Sequence, residues 1–289
     1  MQVFVCLLLV FCAVSAHTCT HDEHVRRGEA LQSLQRYGRP PLRSRLSPRR
    51  RRLDAKQGYA ADWGPVRIAT DFSNVNLAAG SKQLIYLQDT LIPAAVDFWR
   101  MALAVRSVQG PLKLSGFCES VYKLDLSQFG IDPCAAYASV TTCAGHPEVT
   151  IPAEHISRGI DDVDFILYVS NKEMDAGVEG YAVTCQRDQF GRPIAGMINL
   201  TPTHITETTD TESAAFVALW QQELNTALHE LSHALGFSSS SYAHMVDAGG
   251  NAVAESDVVR SFVERGETVT KLVTPLMSAR AADHFACHR

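Results

Sequence analysis

Apolar and polar positions along this chain change period several times, and each change predicts an element. From Trp63 onward the pattern becomes globular. Val66-Arg67-Ile68-Ala69-Thr70 alternates with a period of two, which predicts a strand with one face turned inward. From Leu84 to Val108 the apolar residues Leu84, Leu87, Leu91, Ala95, Phe98, Ala102 and Val105 recur at helical spacing and predict a long helix despite Pro93. Val163 to Val169 is largely apolar, as expected of a central strand covered on both faces. Tyr181 to Gln186 and Ile194 to Leu200 predict two more strands, joined through the turn-like Asp188-Gln189-Phe190-Gly191. Thr209 and Glu212 have the spacing of a capping box, and the helix they open is predicted to run to about Leu235, where Gly236 can stop it. A helix, strands and a second long helix in that order predict an α+β layered domain.

The last turns of that second helix carry His229-Glu230-Leu231-Ser232-His233. Residues four apart lie on one helix face, so the two imidazoles can reach a single zinc ion. Glu230 projects beside them and can take a proton from a water bound to that zinc, whose pKa the metal brings from about 15.7 toward 7. This is the arrangement of a zinc peptidase: His229 and His233 are candidate ligands, Glu230 the candidate base, and the expected cofactor is one Zn2+ per chain.

Composition and charge divide the chain further. With 289 residues and 46% hydrophobic composition it can build a sizeable core. Its net charge of −5 is uneven: residues 17–57 hold eleven Arg and Lys against four Asp and Glu, while the rest is acidic. The acidic body and the shortness of the basic run argue against nucleic-acid binding. Residues 1–16 form a short apolar stretch ending Val14-Ser15-Ala16, which reads as a secretory signal peptide, although no Lys or Arg precedes it. Residues 17–57, with Arg49-Arg50-Arg51-Arg52 as a place for a processing protease to cut, read as a basic propeptide. Residues 58–289 are then the catalytic domain. In an oxidising compartment its cysteines should pair. Cys118–Cys134 and Cys143–Cys185 are the preferred bridges, although spacing alone does not fix connectivity, and Cys287 is left over. Asn199-Leu200-Thr201 is a glycosylation sequon.

The stretch His229 to Phe237 resembles the zinc helix of the leishmanolysin family, the surface metallopeptidases of trypanosomatids. Ala195-Gly196-Met197-Ile198-Asn199-Leu200 resembles the family's segment before that helix, and Tyr181 to Gln186 its disulfide-bearing strand. Asp62 to Ile68 resembles the start of the mature enzyme, and His17-Thr18-Cys19-Thr20-His21-Asp22 the propeptide cysteine motif. The resemblance implies a metzincin-type fold, with a twisted mixed sheet, long helices and the zinc helix toward the C-terminal side. It implies endopeptidase activity on protein substrates and display at the cell surface or secretion, although this chain shows no anchor signal. It also implies that Cys19 acts as a cysteine switch, its thiolate taking the fourth zinc position until the propeptide is removed.

The third ligand is where the chain departs from the pattern. Metzincins place a third His three residues after the Gly, and here that position is Ser239; the leishmanolysin branch has an insertion there. His284-Phe285-Ala286-Cys287 resembles a stretch that precedes the family's third His, so the chain reads as C-terminally truncated. His244, His284 and His288 are the substitutes within the sequence. The leading expectation is a zinc endopeptidase that binds extended peptides as an added strand beside the zinc helix. The alternative is a catalytically inactive truncated relative that binds host or extracellular proteins as an adhesion or decoy molecule.

Overall fold

The computed structural model describes residues 58–114, 142–144, 146–188, 190–206, 213–247 and 251–285. The expected signal peptide, the basic segment with Cys19, the pair Cys118 and Cys134, the Thr209/Glu212 capping box, Cys287 and His288 lie outside these residues. Strand β1 (Gly58–Pro65) leads into β2 (Ile68–Asn74). Next come α1 (Lys82–Tyr86), a π turn (Leu87–Leu91), α2 (Ile92–Ala102) and β3 (Ala104–Gln109). The short strands β4 (Thr142–Cys143) and β5 (His146–Thr150) and helix α3 (Ala153–Ser157) follow. Then come β6 (Phe165–Ser170), β7 (Gly180–Arg187), β8 (Pro193–Leu200) and the long α4 (Ala214–Ala234). Helix α5 (Glu255–Val258), the hairpin β9 (Val259–Glu264) and β10 (Glu267–Leu272), and α6 (Pro275–His284) complete the order. No helix among the described residues is long and apolar enough to cross a membrane.

Four strands form the central sheet in the order β2-β6-β8-β7. β2, β6 and β8 run parallel, and β7 lies antiparallel to β8 at one edge. Every residue of β6 is buried, because both faces of the sheet are covered. The period of two shows in how they divide. Phe165, Leu167 and Val169, with Ala182, Ile198 and Leu200, pack in one core with Trp99 of α2 and Leu231 and Ala234 of α4. Ile166 and Tyr168, with Tyr181, Val183 and Met197, pack in a second core with Cys143 and Val149 from the β4–β5 ribbon.

The long helix predicted over 84–108 is three elements. The π turn occupies the residues just before Pro93, whose ring would otherwise strike a carbonyl of the preceding turn, and Pro93 then sits in the first turn of α2. Helix α2 ends at Ala102, and Leu103 is extended. Ala104-Val105-Arg106-Ser107-Val108-Gln109 pairs antiparallel with β1, so the helical spacing of Val105 with Ala102 was fortuitous. The strand predicted at 66–70 begins two residues later, at Ile68.

Candidate active site

The local sequence explains both ends of α4. Ser213, in extended conformation, caps the first turn by accepting from the Phe216 amide at 3.1 Å. At the other end Gly236 adopts φ +103°. Its amide bonds to His233 O and the Phe237 amide reaches back to Ser232 O, which is the double closure of a Schellman motif. A side chain at Gly236 would be strained and would stand 2.9 Å from Pro193 Cγ. Phe237 then turns onto Trp99, with ring centroids 5.9 Å apart. Strand β7 also grips this end: the Thr184 hydroxyl donates to Ala234 O at 3.0 Å.

That closure sets the two imidazoles. His233 Nδ1 lies 2.6 Å from Phe237 O. A carbonyl can only accept, so Nδ1 carries the proton and Nε2 keeps its lone pair. His233 Nε2 faces His229 Nε2 at 3.2 Å. Two nitrogens bound to one zinc at 2.0–2.1 Å in tetrahedral geometry stand roughly 3.3 Å apart, so the observed pair has the spacing of two ligands. The His229 side chain keeps 19% of its surface exposed, which leaves the shared point open to solvent.

Glu230 is 1% exposed, with Oε1 3.9 Å from His229 Nε2. Burial pushes its carboxyl well above the ordinary carboxylate range; the Ala182 backbone opposes this, and the charge of Glu179 adds to it. A second carboxyl, the half-buried Glu223, lies two turns earlier on α4. It accepts from the Tyr86 hydroxyl at 2.5 Å, and burial, against that hydrogen bond, holds its pKa above the ordinary value.

His229, Glu230 and His233 are thus brought to one place. His244 ends a 3-10 turn (Ser239–His244), and His284 sits at the exposed end of α6 with its ring 4.8 Å from that of Phe285. Among the described residues no group of three or more His, Cys, Asp or Glu side chains gathers to hold a metal ion, so neither joins the His229–His233 pair. The Cys143–Cys185 disulfide is present and ties the β4–β5 ribbon to β7. The sequon does not present a carbohydrate site on the folded chain. Asn199 is fully buried, its Oδ1 accepts from Ser170 Oγ and the Lys172 amide, and its Nδ2 donates to Lys172 O at 2.9 Å.

The pattern along the sequence did not single out Glu179, Thr226 and Thr184, which fasten β7 to α4. Their signal is faint: Glu179 directly precedes Gly180, a glycine opening an apolar strand, and Thr226 lies four residues before Glu230.

An α+β domain with H-E-x-x-H in the last, buried turns of a helix packed on a mixed sheet has the arrangement that metal-dependent peptidases use. The chain belongs to the leishmanolysin family, whose family model matches residues 74–289. It is 28% identical over 343 residues to a leishmanolysin-like peptidase of Drosophila melanogaster, covering 96% of this chain and 47% of that protein. A leishmanolysin-like peptidase of Caenorhabditis elegans is 33% identical over 218 residues, covering 65% of this chain and 30% of the relative. A leishmanolysin homolog of Crithidia fasciculata is 28% identical over 211 residues, covering 72% and 25%. The chain therefore spans less than half the length of these relatives.

Proposed function

We propose that the chain supplies the zinc helix and substrate-binding sheet of a zinc-dependent endopeptidase acting on protein or peptide substrates. The observation that carries this is the 3.2 Å approach of His229 Nε2 to His233 Nε2 with buried Glu230 alongside. Family membership supports it, since leishmanolysins are metallopeptidases. Held by these imidazoles, a zinc ion would supply Lewis acidity at the scissile carbonyl and lower the pKa of the attacking water.

The remaining roles belong to the chain itself. Phe237 O fixes the tautomer of His233 so that Nε2 faces the site. Glu230 is placed to take the proton from the attacking water and return it to the leaving amine. It is buried, with Oε1 3.9 Å from His229 Nε2, so solvent does not compete for the proton it would carry. Strand β7, at the sheet edge next to the zinc helix, is the natural template for a substrate bound as an added strand. Passage through the secretory pathway, latency imposed by residues 17–57 and a blocking role for Cys19 complete the reading. The Cys143–Cys185 bond supports the oxidising compartment.

Zinc content and casein cleavage test it together. Stoichiometric zinc in the purified chain, lost in His229→Ala, with cleavage abolished in Glu230→Gln, is the expected result. A chain that takes up no zinc and shows no Glu230-dependent cleavage would sink the proposal.

A further inference from the structure

Three residues of α4 four positions apart, Gln222, Thr226 and Glu230, form one ridge along the helix. The loop that enters β7 lies along that ridge. Glu179 Oε1 accepts from Gln222 Nε2 at 3.1 Å, and Oε2 accepts from Thr226 Oγ1 at 2.7 Å. Thr226 is 3% exposed, so its hydroxyl depends on this acceptor rather than on solvent. The Glu179 backbone carbonyl is held in turn by the Thr201 amide at 2.9 Å, which ties the same residue to the end of β8. One residue on, Gly180 passes so close that a Cβ would stand 2.7 Å from Asn199 O and 3.7 Å from Glu230 Cγ.

From this geometry we infer that Glu179 is a positioning residue: its carboxylate sets the register between the edge strand and the zinc helix, and thereby the placement of Glu230 against the strand that receives substrate. The inference rests on the peptidase reading above for its kinetic consequence. Its structural content, a clamp between β7 and α4, does not. Along this ridge Glu230 also meets the β7 backbone at Ala182, while the side-chain link to the β7 entrance from Gln222 and Thr226 runs through Glu179. The disulfide at Cys185 and the Thr184 hydroxyl hold only the far half of the strand. Release of Glu179 should therefore loosen the first half of β7 selectively.

The test compares Glu179→Ala with Glu179→Gln in the full chain. A glutamine can accept from Thr226 with its oxygen and donate to the Gln222 side-chain oxygen with its amide, so it preserves both links with one polarity reversed. Hydrogen–deuterium exchange should show faster exchange at Gly180 to Ala182 in Glu179→Ala, with Thr184 to Arg187 and β8 unchanged, and protection restored in Glu179→Gln. With zinc bound, kcat for a peptide substrate should fall at least tenfold in Glu179→Ala at unchanged zinc content and recover in Glu179→Gln, since small displacements of a catalytic group are costly. Unchanged exchange at Gly180 to Ala182 would overturn the clamp. Faster exchange there with kcat unaltered would overturn the positioning role and leave Glu179 merely structural. If the unmutated chain cleaves no peptide, the peptidase reading fails, and the exchange comparison still decides the clamp.

Discussion

Gly196 of β8 lies directly against Ala234 of α4: a methyl group on the glycine would stand 2.8 Å from the Ala234 Cβ and 2.8 Å from Phe165 Cζ. This contact sets the depth at which α4 sits on the sheet, one residue beyond His233. Val183 O, 3.1 Å from the same point, closes the remaining side. Gly196→Ala should therefore cost about 1–3 kcal/mol through overpacking. The measurement is the urea midpoint, and an unchanged midpoint would show that the helix can move away freely.

Removing the base and removing a ligand should separate cleanly. Glu230→Gln keeps the shape of the side chain and both imidazoles, so zinc content should persist while cleavage falls by about 10²–10⁴. His229→Ala and His233→Ala should each lose the metal, as should chelation of the unmutated chain, with activity restored on adding zinc back. Metal analysis alongside a peptide assay distinguishes the two behaviours. Equal zinc loss in all three variants would remove Glu230 from its role as base.

The Cys143–Cys185 bond closes a sequence separation of 42 and ties β4 to the edge strand. By the chain-entropy relation a loop of this size contributes about 4 kcal/mol through the unfolded state. Replacing both cysteines by serine should lower stability by up to that amount and speed amide exchange in the Cys185 half of β7. A double variant with unaltered melting temperature would count against the estimate.

Elements whose burial is uniform were legible in the sequence. Phe165 to Val169 reads as a central strand because both sheet faces are covered, and Gly236 reads as a helix stop because only a glycine sits easily at φ +103° with Pro193 at 2.9 Å. The H-E-x-x-H spacing likewise determined which three side chains meet. Periodicity failed where two elements of different type abut. Val105 fits a helical stripe after Ala102, yet its backbone pairs with Gly64 of a strand 41 residues earlier. The helix start escaped for a related reason: Ser213 and Thr209 are both competent caps, and packing of Phe216 against Tyr86 accompanies the later one. Glu179 was invisible because its partners are separated from it by more than 40 residues and joined only through side chains. The burial of Asn199, which closes the sequon, depends in the same way on the Lys172 loop.

Asp164 and Arg67 supply the pH dependence. Asp164 is 1% exposed, and its carboxylate accepts from the Arg67 guanidinium at 2.9 and 3.0 Å, the Arg67 amide at 3.0 Å and the Val108 amide at 2.6 Å. Burial alone would raise its pKa, but the bonds from Arg67 and the two amides outweigh that and hold it below the ordinary aspartate value. A carboxyl depressed in the folded state stabilises fully above its unfolded pKa of about 3.9, and that contribution is lost as pH falls through the folded value. The chain should therefore lose stability below about pH 4 in part through this residue. Asp164→Asn removes a buried charge opposite an Arg67 side chain that is itself 32% exposed, so it should cost about 1–3 kcal/mol near neutral pH while flattening the acid limb of the stability curve. Urea unfolding of both forms from pH 7 down to 3 measures this. Parallel curves, offset by a constant, would mean that folding does not shift the Asp164 carboxyl from its unfolded pKa.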